Sequence, residues 1–141
     1  MPNAILAPAA VLVAWTLVIL VWMGATRLPA LAKLKLPPGR SRGGRGSDLD
    51  GVLPAEIQWK AHNYNHLMEQ PTVFYALVMI LALGGFSTVD VWLAWAYVAL
   101  RIVHSVWQAV INTIPGRLGL FTLGSFVLMA MTVRALLVTL A

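Results

Sequence analysis

A polar stretch between residues 62 and 71 carries most of the side chains in this chain that could do chemistry. It contains His62, Asn65, His66 and Glu69, and it runs directly into an apolar segment. At helical spacings of three and four residues, these side chains share one face. Titratable groups are energetically costly when they face lipid within a segment that is apolar enough to span a membrane. We therefore expect this face to line a protein interior or a water-filled cavity.

A second polar stripe lies later in the chain, with helical spacing throughout: Tyr97, Arg101, His104, Gln108 and Asn112. Arg101 is its strongest candidate for function, because an unpaired arginine near mid-membrane is very unfavourable. Arginines bind carboxylates through paired hydrogen bonds, and a buried carboxylate accepts from an ammonium. The two stripes together suit an anionic ligand that also carries an amine.

Two other interpretations of the same residues stay open. Glu69 suits a structural role in which it pairs with Arg101, or with an arginine of a neighbouring subunit, and holds the helices together. His62 and His66 with Glu69 also have a spacing that metal ligands use. No His-Glu-x-x-His pattern accompanies them, and we predict no metal site. The chain has no cysteine, so any thiol must arrive as a ligand.

The composition predicts an integral membrane protein. Of the 141 residues, 60% are apolar and 11% are charged, whereas soluble domains are nearer half and a quarter. Four apolar segments predict a single all-α domain, an integral membrane four-helix bundle, at about 20 residues per span. The predicted spans are residues 4–26, 56–83, 89–112 and 118–140, and residues 29–55 are expected to form a flexible basic loop.

Basic residues set the predicted orientation. Most of them flank or lie in the first loop and Arg117 lies in the third, whereas the second loop, residues 84–90, has none. By the positive-inside rule, both termini lie outside and the polar stripes open to the cytoplasm. The Arg-Gly run of the first loop is expected to attract anionic lipid rather than nucleic acid. Arg134, near the outer end, is expected to extend to the interface.

These motifs resemble those of MAPEG, the membrane-associated proteins of eicosanoid and glutathione metabolism. In the second segment the resemblance rests on Lys60-Ala61-His62-Asn63-Tyr64-Asn65-His66-Leu67-Met68-Glu69-Gln70-Pro71, followed by Phe74-Tyr75. The third segment matches through Arg101-Ile102-Val103-His104. Two further positions of the family pattern are filled by Arg117 and by Arg27-Leu28.

The resemblance implies a homotrimer of bacterial type in the inner membrane, with glutathione bound between subunits near the cytoplasmic face. It implies a transferase or peroxidase in which Arg117 stabilises the glutathione thiolate. That thiolate attacks a lipophilic electrophile, or a peroxide, that arrives from the bilayer. The resemblance suggests the following residues for glutathione binding: Arg27, Asn65, His66, Glu69, Arg101, His104 and Gln108.

Two positions depart from the family pattern. The asparagine three residues before the glutamate is His66 here, and the tyrosine often found seven residues after the third-segment arginine is Gln108. These departures allow altered glutathione geometry or a different thiol. They also allow a non-catalytic scaffold or lipid-binding protein of the same fold. A small transporter is less favoured, because the polar stripes stop at mid-membrane.

Overall fold

The computed structural model describes residues 4–35 and 43–140, which form helices joined by short connections. In chain order the helices are α1 Leu6–Lys33, α2 Ala55–Leu67, α3 Gln70–Gly84, α4 Thr88–Val110 and α5 Ile114–Leu140. A single 3-10 turn, Gly46–Leu49, precedes α2.

The five α-helices form four membrane spans. α1, α4 and α5 are each long and apolar enough to cross a bilayer, and α2 with α3 forms the remaining span, Ala55–Gly84. The core between them is apolar and closely packed, as at Leu12, Phe74 and Met131. Many large apolar side chains are exposed on the outer faces, as lipid contact requires. The prediction of an all-α integral membrane four-helix bundle is confirmed.

Two helices are longer than the apolar segments that identified them. α1 continues to Lys33, beyond residue 26, because polar residues such as arginine mark where lipid ends and still favour helix. α5 begins at Ile114 rather than at 118, with Pro115 in its first turn. A proline is tolerated there because its missing N–H would have had no helical partner.

The second span is broken at Met68–Glu69, where the sequence analysis has one continuous segment. Pro71 has no N–H to donate to a carbonyl one turn earlier, so the α-helical ladder cannot run through this point. At the break the amides of Met68 and Glu69 reach back only three residues, to the carbonyls of Asn65 at 2.9 Å and His66 at 3.4 Å. The His66 carbonyl thus has only this long contact within its own span, and it can accept from a second donor.

Part of the predicted flexible loop is ordered against the helices; its residues 36–42 lie outside the described residues. Arg27 Nη2 donates to the Gly46 carbonyl at 2.7 Å. Asp50 accepts hydrogen bonds from Gln58 Nε2 at 2.6 Å and from His62 Nε2 at 2.9 Å. These two hydrogen bonds, that of Gln58 first, lower the pKa of the Asp50 carboxyl group. His62 is thus directed to this loop contact.

An ion pair joins α4 to α5 at the opposite end of the bundle. Arg134 donates through Nε to Asp90 Oδ1 at 2.8 Å and through Nη2 to Oδ2 at 3.1 Å. The Asp90 side chain is fully buried, and it also caps α4 by accepting from the Ser87 amide. The Arg134 side chain stays 37% exposed while it makes this pair, and its extension to the interface stays a prediction.

Replacing Arg134 with Met should destabilise the bundle, because it leaves the Asp90 carboxylate buried without its cation. We expect the Tm of the protein in detergent to fall by about 5 °C or more. Adding Asp90→Asn to this variant removes the uncompensated charge and should restore part of the loss. An unchanged Tm for Arg134→Met would show that the pair does not hold the helices together.

Replacing Asp50 with Asn should release residues 43–54 from α2. The pKa of Asp50 lies below its ordinary value of 3.8, so its hydrogen bonds are fully formed at neutral pH. They are lost only as the pH falls through that lowered pKa. At neutral pH we expect tryptic cleavage after Arg45 to become several-fold faster in Asp50→Asn. Glu56→Gln, which removes an exposed carboxylate from the same end of α2, should leave the rate unchanged; equal acceleration by both would contradict the assignment.

Candidate functional site

The guanidinium of Arg101 is the centre of the polar cluster between α2 and α4. Its side chain is only 2% exposed. Nη2 donates to the His66 carbonyl at 2.6 Å and contacts His66 Nδ1 at 2.9 Å, while Nη1 contacts His104 Nδ1 at 3.2 Å. The carbonyl is available because the helix is broken just after it. The polar stripes predicted for the second and third segments thus meet at Arg101.

A cleft of about 270 Å³ lies beside this cluster, between α2, α4 and the first turns of α5. Its polar residues are His66, His104, Gln108 and Arg117. Its apolar residues are Ile114, Leu118 and Phe121. The cleft therefore offers hydrogen bonds and positive charge together with an apolar surface.

The walls of the cleft are held by ring packing. The His66 ring lies 5.0 Å from the His104 ring and 5.6 Å from the Phe121 ring, centroid to centroid. Phe121 is one helical turn after Arg117, so both side chains lie on the same face of α5. Phe121 was not among the predicted site residues, and its spacing of four residues from Arg117 was the only signal for it.

Gln108 carries an unused acceptor at the cleft. The residue is 6% exposed, and its Oε1 has no hydrogen-bond partner within the described part of the chain. A buried amide oxygen without a partner is unfavourable, so such atoms mark places where a ligand or a water is bound. A ligand that brings an N–H or O–H group would complete this site.

Arg117 is positioned by the turn between α4 and α5. Asn112 adopts a left-handed backbone conformation, with φ of 56°, which asparagine tolerates better than most residues. From there its Oδ1 accepts from Arg117 Nη1 at 2.8 Å. Trp107 closes the turn by donating from Nε1 to Thr113 Oγ1 at 2.9 Å. The Arg117 guanidinium is thus held at the cleft by one side-chain contact.

The other predicted site residues lie away from this cleft in a single subunit. The Glu69 side chain is 68% exposed, 3.9 Å from the His66 ring through Oε2 and Nε2. Asn65 is exposed on α2. Arg27 contacts the loop at Gly46. The structure therefore brings together His66, Arg101, His104, Gln108 and Arg117 and leaves these three outside.

Two buried polar networks lie next to the cluster. Ser105 Oγ accepts from Trp15 Nε1 at 3.0 Å and from Asn63 Nδ2 at 2.9 Å, which ties α1 and α2 to α4. Deeper in the bundle, Gln70 donates to Ser125 at 2.9 Å and accepts from the Tyr97 hydroxyl at 3.3 Å. Within residues 4–35 and 43–140, no group of three or more acidic, histidine or cysteine side chains is arranged to hold a metal.

A model of the MAPEG family matches residues 5–137, nearly the whole chain. The chain belongs to the MAPEG family. Comparison with curated proteins finds no significant match, and comparison with solved structures finds none either. Membership indicates a multi-pass membrane protein with a glutathione-related transferase or allied function.

The turn that holds Arg117 can be tested at Gly116. A Cβ added there would lie 2.5 Å from the indole of Trp107, so Gly116→Ala must displace the ring that closes the turn. We expect it to destabilise the protein by about 1–3 kcal/mol, as overpacking does, and to change the fluorescence of Trp107.

Gly119, also in α5, is the matched control, because an added Cβ there meets no atom within 4 Å. Gly119→Ala should be neutral, or stabilising by up to about 1 kcal/mol through helix propensity. Equal effects of the two substitutions on the Tm in detergent would show that Trp107 does not constrain this turn.

Proposed function

We propose that this protein is a membrane-embedded, glutathione-dependent transferase or peroxidase that acts on lipophilic electrophiles. The observation that carries the proposal is the mixed lining of the cleft, in which the polar side chains of Arg117 and Gln108 lie beside the apolar side chains of Phe121 and Leu118. A polar tripeptide and an apolar second substrate need such a pair of surfaces side by side. Family membership supports glutathione as the thiol.

Arg117 is the proposed catalytic residue. A guanidinium beside a thiol favours the ionised form, and the thiolate is the nucleophile. In the transferase reaction the sulfur forms a bond to an electrophilic carbon, and the leaving group departs with the electron pair of the broken bond. In the peroxidase reaction the sulfur takes one peroxide oxygen as the O–O bond breaks, and the other oxygen leaves with the electron pair and a proton as an alcohol. A second glutathione then reacts with the resulting sulfenic acid to give a disulfide and water.

Residues outside the cleft of one subunit fit a homotrimer in which the sites lie between neighbours. Glu69 and Asn65 are exposed on the same span that carries His66, and an exposed carboxylate within a membrane span needs a polar neighbour. We propose that these side chains and Arg27 complete the glutathione site across the subunit boundary. The distribution of basic residues supports an orientation with both termini outside and the cleft facing the cytoplasm.

Replacing Arg117 with Ala should remove the thiolate without unfolding the bundle. We expect kcat/KM with a soluble model electrophile to fall by about 100-fold or more, as when one charge-stabilising donor is removed from a site. The thiolate absorbance of bound glutathione should disappear in the same variant. Arg117→Lys keeps the charge but not the planar fork, so it should retain intermediate activity.

Arg45→Ala is the matched control, because it removes an exposed arginine that does not line the cleft. It should leave glutathione affinity and turnover unchanged. Full turnover by Arg117→Ala would overturn the assignment of this residue. A wild-type protein that does not bind millimolar glutathione in calorimetry would overturn the proposed function and favour the non-catalytic scaffold.

A further inference from the structure

The contacts of Arg101 fix the chemical form of two histidines. A guanidinium carries only N–H donors, so any ring nitrogen that it contacts must act as an acceptor. Both contacts reach Nδ1, on His66 at 2.9 Å and on His104 at 3.2 Å. In a neutral imidazole one nitrogen accepts and the other donates. Neutral rings that make these contacts carry the hydrogen on Nε2, since the other tautomer would set N–H against N–H.

The two rings stand between Arg101 and the cleft. His66 and His104 line the cleft, whereas Arg101 does not. With Nδ1 of each ring engaged by the guanidinium, the ring edge left for a ligand is the one that carries Nε2. In His66 this nitrogen also lies 3.9 Å from the exposed Glu69 carboxylate. Packing of His66 against both His104 and Phe121 restrains ring rotation further.

We propose that Arg101 is a positioning residue that holds His66 and His104 as neutral Nε2–H donors for an anionic group of the ligand, a thiolate or a carboxylate. For glutathione as that ligand, the inference rests on the proposed function. Neither ring then has a free lone pair, so neither accepts the thiol proton, which leaves to water. The rings add two N–H groups to the positive charge of Arg117.

The same arrangement explains why histidine can stand where the family pattern has asparagine. An asparagine side chain accepts through its oxygen and donates through its nitrogen. His66 held in one tautomer does the same: Nδ1 accepts from Arg101, and Nε2–H donates to the cleft. The ring thus reproduces the hydrogen-bonding pattern of a carboxamide, and it does so only while Arg101 is in place.

Nitrogen NMR of the histidine rings tests the tautomers directly. The protein is labelled with 15N-histidine in a His62→Gln background, which leaves only His66 and His104 as labelled residues. We expect both rings to show an unprotonated Nδ1 and a protonated Nε2. Added glutathione should shift the Nε2 signals. A protonated Nδ1 in either ring would overturn the proposal, and so would Nε2 signals that do not move at saturating glutathione.

Variants at the two ends of the contact add a functional readout. Arg101→Met should allow both tautomers, and Arg101→Lys should fix at most one ring and weaken glutathione binding by about tenfold. His66→Asn, which keeps an acceptor and a donor, should bind glutathione at least about tenfold more tightly than His66→Leu. Equal affinities of these two His66 variants would contradict the carboxamide analogy. Unmixed tautomers in a folded Arg101→Met protein would show that another group holds the rings.

Failure of the proposed function and failure of this inference are distinguishable. If calorimetry finds no glutathione binding, glutathione is overturned as the ligand, and the wild-type ring nitrogens alone still decide whether Arg101 holds the tautomers. If glutathione binds and Nδ1 is protonated, the proposed function stands and the positioning role of Arg101 is overturned.

Discussion

The structure around the cleft depends on the burial of one guanidinium, that of Arg101. Arg101 is almost wholly removed from solvent, and an arginine in that position is tolerable only when its donors are used. The partners come from two helices, and one of them is a main-chain carbonyl that an unbroken helix would occupy. At the break before Pro71, the His66 carbonyl receives only the Glu69 amide from its own span, at 3.4 Å, and it also accepts from Arg101. The helix break between α2 and α3 therefore provides a hydrogen-bond acceptor for the buried guanidinium on α4.

Other contacts between helices hold Arg101 on α4 opposite the helix break. Asp90 and Arg134 tie α4 to α5 at the opposite end, and Ser105 ties α4 to α1 and α2 close to the cluster. Hydrogen bonds between helices in lipid are modest individually, at about 1 kcal/mol. Placed on both sides of Arg101, they fix the rotation of α4, and with it the wall of the cleft that carries His104 and Gln108.

Sequence periodicity predicted the two polar faces, and the bundle places Arg101, His104 and Gln108 on one of them. It did not predict which partner Arg101 would take. Pairing with Glu69 was one expectation, but the direction of the chain after a helix break depends on packing that no local pattern encodes. Phe121 was missed because an aromatic residue in an apolar helix carries no signal of its own. The contact of Asp50 with His62 was missed because it joins a loop to a helix across twelve positions.

The exposure of Glu69 has a consequence for how the protein responds to dilution. A carboxylate facing lipid inside a membrane span costs up to about 3 kcal/mol, and any protein surface that covers it recovers part of that cost. Association in the plane of the bilayer obeys mass action, so the recovered share depends on the ratio of protein to lipid. In the proposed homotrimer, the chain would therefore be less stable when it is diluted in lipid than when it is concentrated, although every contact within one subunit is unchanged.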